Sequence, residues 1–432
     1  MTHSLAADTT LASPFAIADF RRQLFAVACS TLASRGVAAV VNYEVYQLTK
    51  SEFSLGIVGL VEAIPALSLA LYGGHIADRH DRRRILQITL GGSAIAAVLF
   101  AGFAISAMSR QEWWMLIALY AVAFATGTAR GFAEPAMSAL EAQIVPRSLM
   151  VKASAWLSVT WLSCSIIGPA VCGLILAHGG AVVAFEIFAV LFGCSWAFVS
   201  RMSAYPIPPP TEGESLWQSV AEGVKYVTRD QVMLGSMSLD LFAVLFGGAI
   251  ALLPKFAEIL EVGPEAYGLL VAAPNCGALA TMLYCVKRPP IRHAGRNLLV
   301  AVAGFGVAMI VFALSQNFLL SIVMLFIAGM CDGVSVVIRR SIVRLMTPPR
   351  LRGRVASVSM VFIGASNELG ALESGLAAAA IGTVRSVWIG AVVTLGVVSF
   401  TAWRAPKLRA LRLDDVLPPE EPRLFEKPAD TA

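Results

Sequence analysis

Nine charged side chains stand inside long runs of apolar residues, where a charge is rarely kept without a role. At the centre of a helix in a bilayer, one ionised side chain costs about 2.5–3.5 kcal/mol. A carboxylate in such surroundings holds its proton tightly, and an arginine that moves beside it favours release of that proton. Each of these residues is therefore a candidate functional residue. The nine residues are Arg35, Glu62, Arg130, Glu134, Glu186, Asp240, Asp332, Glu368 and Glu373.

The apolar segments that carry these charges are too numerous for a soluble protein. Of 432 residues, 57% are hydrophobic and only 14% are charged, which is too little charge to cover a soluble surface of this size. Each apolar block, as a helix, is long enough to cross a hydrocarbon core of about 30 Å. The sequence predicts an all-α membrane protein with twelve spans, at 24–46, 53–77, 85–108, 112–136, 152–177, 181–200, 232–253, 266–286, 297–315, 318–338, 355–380 and 384–403.

Basic residues predict the orientation of these spans. Arginine and lysine are concentrated before span one and in the loops that follow every even-numbered span, whereas the other loops hold few. Because cytoplasmic loops are enriched in positive charge, both termini are expected in the cytoplasm.

A proline-rich break in the middle predicts two bundles of six helices. The expected parts are a cytoplasmic N-terminal segment at 1–23, a bundle at 24–201, a linker at 202–230, a second bundle at 231–404 and a tail at 405–432. Within the linker, apolar residues at helical spacing predict an amphipathic helix on the cytoplasmic membrane surface, although a flexible linker is the alternative. An internal repeat supports the division, because Pro146 and Pro348, Lys152 and Arg354, Gly168 and Gly370, and Gly173 and Gly375 are each 202 residues apart.

The charged stretch GGHIADRHDRRR lies between spans two and three. It resembles the loop motif of the major facilitator superfamily, carried here by Gly74, Asp78, Arg79, Arg82, Arg83 and Arg84, with Asp81 where many members have a second glycine. The resemblance implies a gate latch in which Asp78 caps the start of span eleven near Val355 and Arg82 braces it, since a carboxylate favours a helix N-terminus. The alternative is that the arginines only set topology.

Span five carries a second motif, CSIIGPAVCGL, in which Gly168, Pro169 and Gly173 match the Gly-Pro motif of superfamily antiporters. Cys164 and Cys172 stand where glycine is usual. Proline removes one backbone hydrogen bond and small residues allow close helix approach, so this segment can bend and seal. Ordinary small-residue packing is the alternative.

The resemblance covers the whole chain and is closest in pattern to the branch of bacterial efflux proteins that includes the enterobactin exporter. It implies a proton-coupled secondary exporter of a small organic molecule, drug-like or a siderophore, working by alternating access in the bacterial inner membrane. A proton-coupled uptake symporter is the first alternative, and a non-transporting receptor or scaffold is the second.

The same resemblance gives roles to the buried charges, because spans one, four, seven and ten line the central cavity of this fold. Arg35 and Asp240 are expected to face that cavity. Arg130 and Asp332, again 202 residues apart, are expected to form an ion pair between the bundles. Asp240 and Asp332 are the leading proton sites, followed by Glu62, Glu368 and Glu373, while Glu134 and Glu186 fit static salt bridges or helix ends better.

The sequence argues against an enzyme. Its five histidines are scattered at segment ends and in loops, its seven cysteines have no paired Cys-x-x-Cys spacing, and it has no Walker lysine motif. We therefore expect no cofactor, no metal and no nucleic acid. The expected partners are a small-molecule substrate, protons and the lipid bilayer, and two six-helix bundles suffice for transport by a monomer.

Overall fold

The computed structural model describes residues 13–106, 111–146, 148–206, 216–247, 249–287, 292–348 and 351–413. All the regular structure assigned in these ranges is helical, so the predicted all-α class is confirmed. The α-helices are α1 Ala18–Thr49, α2 Glu52–Arg79, α3 Arg82–Ile105, α4 Glu112–Ile144, α5 Met150–Ser200, α6 Leu216–Arg229, α7 Gln231–Gly247, α8 Leu253–Ile259, α9 Pro264–Lys287, α10 Ala294–Leu314, α11 Phe318–Met346, α12 Arg352–Ile381, α13 Thr383–Arg404 and α14 Pro406–Arg409.

Ten segments of the described residues are long and apolar enough to cross a membrane. One of them runs along α5, where predicted spans five and six form one helical segment interrupted at Gly180. Gly180 has φ 71°, a left-handed conformation that glycine adopts without steric cost, so the chain turns there without a loop. Counting both arms of α5 and the shorter apolar stretch of α12 gives the predicted twelve, and that number stays a prediction.

Helix α1 begins six residues earlier than predicted, at Ala18 rather than at residue 24. Asp19 lies in the first turn, where a carboxylate favours the unpaired N–H groups, and it binds Arg22 at 2.7 Å. The polar residues assigned to a terminal segment at 1–23 therefore extend the helix beyond its apolar core.

The two bundles repeat the same helix packing. In the first bundle, Gly127 of α4 lies against the backbone of Glu62 in α2. In the second, Gly329 of α11 lies against the backbone of Pro274 in α9. Gly127 and Gly329 are 202 residues apart, so the offset seen in the sequence corresponds to equivalent contacts. This agreement supports the predicted pseudo-symmetric pair of bundles.

Two seams join the bundles, one between α5 and α9 and one between α2 and α12. Gly173 meets Gly268 in the first seam, and Gly375 meets Gly56 in the second. A Cβ on Gly173 would lie 2.5 Å from the carbonyl oxygen of Pro264, which is closer than real Cβ contacts come. Glycine is therefore needed for the backbones to approach this closely.

The predicted amphipathic linker helix is present as α6, and it packs on the second bundle against α7 and α12. The Tyr226 hydroxyl donates to the carbonyl oxygen of Met346 at 2.8 Å, and Val227 is buried. The linker start is tied to the first bundle, because Asp19 accepts hydrogen bonds from the Tyr205 hydroxyl at 2.9 Å and the Ser203 N–H at 3.0 Å. Each end of the linker is thus attached to a different bundle.

The predicted tail at 405–432 begins as a packed element rather than as a surface segment. Helix α14 follows α13 after a break at Ala405, and both Leu408 and Leu413 are buried. The leucines in this basic stretch fill space against α7 and α10, which explains why the second bundle extends past residue 404.

Candidate functional site

The far end of the molecule, defined as the end where Thr49 of α1 is followed by Glu52 of α2, is closed by contacts between the bundles. The Tyr46 hydroxyl donates to a carboxylate oxygen of Glu258 at 2.6 Å. The Glu52 carboxylate accepts from the Thr383 hydroxyl at 2.9 Å. The close glycine contacts of both seams, Gly56 with Gly375 and Gly173 with Gly268, also lie toward this end. The described contacts between the bundles therefore favour a conformation that is sealed at the far end.

The predicted gating motif lies at the opposite, near end, where α2 is followed by α3. Arg83 donates to the carbonyl oxygen of Ser200 at the C-terminus of α5, where a cation complements the helix dipole. Asp81, noted as a departure from the motif, caps α3 by accepting from the Arg83 N–H at 3.0 Å. Arg82 is buried, whereas Arg79 and Arg84 are exposed.

The latch itself remains a prediction. The side chain of Asp78 lies outside the described residues, so its contact near Val355 is not described. Gly74, the motif glycine, has open space where a Cβ would stand. The tight position is the preceding Gly73, which packs against the backbone of Gly131 in α4.

The span-five motif lies at the contact of α5 with both bundles. A Cβ on Gly168 would lie 3.1 Å from the carbonyl oxygen of Leu32 and from the Cβ of Arg35, so this glycine lets α1 approach. The carbonyl oxygen of Pro169 and the backbone of Gly173 face Gly268 of α9 across the seam. The motif therefore joins helix packing within the first bundle to the interface with the second.

An open cavity lies in the first bundle, between α1, α2, α3, α4 and α5, and we call it the N-terminal cavity. Its charged lining includes Arg35, Glu62, Arg130 and Glu134. Arg130 binds Glu62 at 2.7 Å and Glu134 at 3.5 Å, while the Arg35 guanidinium lies 5.3 Å from the ring centre of Trp161. Four of the nine charges within the apolar segments thus share one cavity.

A second open cavity lies in the second bundle between α7, α9, α10, α11 and α12, and we call it the C-terminal cavity. Asp240 and Asp332 both line it, with Asn275 and Asn367. Asp240 of α7 forms an ion pair with Arg339 of α11, and both side chains are at most 10% exposed. The remaining lining is mainly apolar, so these charges are poorly screened.

The expected pair between Arg130 and Asp332 is not the arrangement seen in this conformation. Arg130 binds Glu62 in its own bundle, and Asp332 lines the cavity of the other bundle. The reason is that α2 and α4 pack through Gly127 and Gly131, which brings Glu62 within reach of Arg130.

The remaining acids lie apart from these clusters. Glu373 lines a small recess between α7, α12 and α13, outside both cavities. The side chain of Glu368 lies outside the described residues. Glu186 is exposed, and no group of three or more His, Cys, Asp or Glu side chains among the described residues is arranged to hold a metal ion.

Two residues of these sites were missed by sequence reasoning. Arg339 was counted only as loop charge, although it stands seven residues after Asp332, a spacing that puts both near one helix face. Trp161 was not singled out, because the sequence of an apolar span does not distinguish a tryptophan that faces a cavity from one that faces lipid.

A family model described as transmembrane secretion effector matches residues 9–428, nearly the whole chain. The chain belongs to this family. It is a transporter of the major facilitator superfamily, in the branch that resembles the enterobactin exporter, and it is not an enzyme.

Two named relatives are similar to this chain over most of its length. Enterobactin exporter EntS of Shigella boydii serotype 18 is 24% identical over 393 residues, which cover 89% of this chain and 93% of the relative. EntS of Escherichia coli O1:K1 shows the same identity and coverage.

Solved structures share the fold of this chain at low sequence identity. A D-xylose–proton symporter matches with a TM-score of 0.71 and 13% identity, covering 93% of this chain and 99% of that one. A bacterial homologue of the human lysosomal transporter Spinster, in an inward-facing, unoccupied conformation, matches with a TM-score of 0.70 and 14% identity, covering 90% and 98%. These likenesses show the fold alone.

Proposed function

We propose that this transporter is a secondary active exporter that moves a small organic molecule, drug-like or a siderophore, out of the cell in exchange for protons. The observation that supports it most is the ion pair of Asp240 and Arg339 beside Asp332 in an apolar cavity. The names of its relatives, which are exporters, support the direction.

The coupling step that we propose is a change of partner for Arg339. When Asp240 takes up a proton it loses its negative charge, so it no longer holds the guanidinium. Asp332, two helical turns earlier on α11, then offers a second carboxylate in the same cavity. Because an uncompensated buried charge is costly, the proton and the position of Arg339 must change together.

The seams transmit this change to the far end. Helix α7 carries Asp240 and packs against α12, which meets α2 in one seam, so a shift of α7 relative to α11 bears on the contact of Gly375 with Gly56. We propose that substrate binding loosens the far end while Asp240 is deprotonated, and that substrate leaves there. Asp240 then takes up a proton from the outside, and this returns the transporter to the state closed at the far end, where the proton is released to the cytoplasm. This is alternating access with the seam glycines as the sliding contacts.

We further propose that the near end faces the cytoplasm of a bacterium and that the protein resides in the inner membrane as a functional monomer. The basic residues that favour this orientation include Arg79, Arg83 and Arg84 at the near end. Labelling of single cysteines placed at Lys50 and at Arg84, in intact cells with an impermeant maleimide, tests it. Lys50 is expected to react and Arg84 to be protected.

Transport in proteoliposomes tests the function. The full-length protein is reconstituted with a pH-sensitive dye in the lumen, a panel of siderophores and amphiphilic drugs is added, and substrate movement is followed by mass spectrometry. We expect proton movement opposite to substrate movement. Asp240→Asn and Asp332→Asn should abolish acceleration by a pH gradient while leaving slow exchange without a gradient.

Glu186→Gln is the matched control, because it removes an acid from a spanning helix outside both cavities. Equal substrate movement with and without a pH gradient would overturn the proton-coupling proposal. Movement of protons and substrate in the same direction would instead identify the uptake symporter, the alternative consistent with the fold it shares with a proton symporter.

A further inference from the structure

The segment 404–413, where the chain leaves α13 and turns across the near end of the second bundle, separates its apolar residues from its basic ones. Ala405, Leu408 and Leu413 are buried against the bundle. The basic residues that alternate with them are all exposed, and they are Arg404, Lys407, Arg409 and Arg412. We call this segment the basic elbow. Its apolar side chains hold it on the bundle, and its charge is presented outward.

Contacts with α7 and α10 fix the backbone of the basic elbow. The Gln231 side chain, at the start of α7, donates to the carbonyl oxygen of Arg404 at 3.1 Å. At the start of α10, the Gly295 N–H donates to the carbonyl oxygen of Leu411 at 3.2 Å. The Leu408 carbonyl lies directly against Gly295, where any side chain would collide with it. The exposed basic side chains therefore stand on a packed backbone and not on a free end.

These contacts bring further basic residues beside the basic elbow. Arg229 ends α6 just before α7 begins, and Arg292 and Arg296 stand on either side of Gly295. All three arginines are exposed. Asp230, the acid next to Arg229, is used as the cap of α7, where it accepts from two backbone N–H groups at 2.9 Å. Within the described part of the chain, no ion pair involves these three arginines or the basic side chains of the elbow.

The near end of the first bundle uses several of its basic residues internally. Arg22 binds Asp19 at 2.7 Å, and Arg84 lies 3.9 Å from Asp81. Arg83 donates to a backbone carbonyl at the end of α5. These charges are partly compensated by the protein itself, whereas those of the basic elbow are available to an external anion.

Two aromatic side chains at the end of α13 indicate how deep the basic elbow lies in the membrane. Phe400 and Trp403 are 60% and 75% exposed, and their ring centres lie 6.2 Å apart. Helix α13 is apolar and long enough to cross a membrane. Tryptophan is enriched where the hydrocarbon meets the headgroups, because its ring is apolar and its N–H is polar. Arg404 follows Trp403 directly, so the basic elbow begins at the level of the lipid phosphates.

We propose that the basic elbow, together with Arg229, Arg292 and Arg296, binds the phosphodiester headgroups of anionic phospholipids. Guanidinium groups match phosphate oxygens with paired hydrogen bonds, and the attraction of several basic residues beside one span accumulates. A soluble anion meets the same charges, but only a lipid also places acyl chains against Phe400 and Trp403. The surface lies outside both cavities, so this proposal is independent of the proposed function.

Quenching of Trp403 fluorescence by brominated lipids in proteoliposomes tests the surface. Bromine on an acyl chain quenches a tryptophan that the lipid contacts, and the contribution of Trp403 is the difference between the unaltered protein and Trp403→Phe. Phosphatidylglycerol and phosphatidylcholine with the same brominated chains are compared at low mole fraction in a phosphatidylethanolamine bilayer. We expect half-maximal quenching at an about fivefold lower fraction of phosphatidylglycerol, and we expect high salt to remove this preference.

Charge variants locate the preference on the elbow. Lys407→Gln combined with Arg409→Gln should lower it to about twofold, because it removes two charges and leaves the buried side chains in place. Lys407→Arg combined with Arg409→Lys keeps both charges and should keep the preference. The matched control is Lys152→Gln combined with Arg201→Gln, which removes two exposed charges from the near end of the first bundle. It should leave the preference unchanged, and thermal unfolding checks that each variant is folded.

Three results would overturn the proposal. The first is equal quenching by the two lipids in the unaltered protein, and the second is a preference that the Lys407→Gln and Arg409→Gln variant retains in full or that the control variant loses equally. The third is a preference that appears only after residues 414–432 are removed, since the acidic residues of that segment would then be the occupant of the surface. A failure of proton-coupled transport leaves all of these outcomes unchanged.

Discussion

The two cavities stand at comparable places in two bundles built by the same packing, yet their chemistry differs. The N-terminal cavity is lined by hydroxyls and holds ion pairs that water reaches, with Arg130 36% and Glu62 17% exposed. The C-terminal cavity is mainly apolar and holds Asp240 and Arg339 at 8% and 10%. Symmetry of the backbone therefore does not extend to the side chains. The second cavity is the one in which we propose the proton site.

The contact between Tyr46 and Glu258 at the far end also joins related backbone positions that carry different side chains. Tyr46 and Glu258, which form a hydrogen bond across the interface, are 212 residues apart, and so are the seam residues Gly56 and Gly268. Equivalent positions thus meet near the symmetry axis, one as donor and the other as acceptor. Here the different side chains of the two halves, a tyrosine and a glutamate, make a hydrogen bond that two identical side chains would not make in the same way.

The largest effect is expected from Arg339→Met. It leaves the Asp240 carboxylate buried without its partner, which costs about 3–5 kcal/mol for a pair of this kind. The double variant Asp240→Leu with Arg339→Met should recover most of that stability while remaining inactive in proton-driven transport. Thermal unfolding in detergent measures both, and a double variant no more stable than the single one would contradict the buried-pair assignment.

The seam glycines test backbone symmetry. Gly173→Val and Gly375→Val each place a side chain against backbone atoms of the opposite bundle, and each should destabilise the far-end-closed state by about 1–3 kcal/mol. Distances between spin labels at the far end should lengthen equally in both variants. Gly74→Val, with open space around its Cβ, is the control. Unequal changes in these distances would show that the two seams contribute unequally to closing the far end.

A smaller effect is expected from Tyr46→Phe. It removes the hydrogen bond to Glu258 without changing the buried ring, so the closed far end should lose about 1 kcal/mol. Single-molecule distance measurements across the far end should show open states about fivefold more often. No change in their frequency would mean that the seams and the remaining polar contacts, such as that of Glu52 with Thr383, hold this end closed without it.

The smallest effect on stability is expected from Arg130→Met. Its ion pairs with Glu62 and Glu134 are partly exposed and screened, so their loss should cost about 0.2–1 kcal/mol, well below the loss in Arg339→Met. Both variants are compared by unfolding under the same conditions. Equal losses would remove the distinction between the two cavities.

Several features of the fold were predictable because they depend on local sequence. The apolar blocks predicted the helices, and the equal spacing of Gly168 with Gly370 and Gly173 with Gly375 predicted the repeat. The break after residue 202 predicted the linker, and α6 occupies the expected segment. Helix ends were less predictable, because polar residues such as Asp19 continue a helix past the apolar block.

The partners of the charged residues were not predictable in the same way. Helical periodicity indicates which residues share a face of one helix, but not which neighbouring helix that face meets. Arg130 was assigned to Asp332 by symmetry, whereas the packing of α4 on α2 brings Glu62 to it. Arg339 was overlooked because it was read as part of a basic loop, although α11 continues to Met346.

The sequence by itself determined that this chain forms membrane-spanning helices in two related bundles, because hydrophobic length and glycine spacing are local properties. It also determined which positions carry a costly charge. Only the tertiary structure decided how those charges pair, that Arg35 stacks on Trp161, and that the far end is closed. These outcomes depend on the distances between helices. Those distances are set by close contacts of glycines with residues that are far away in the sequence.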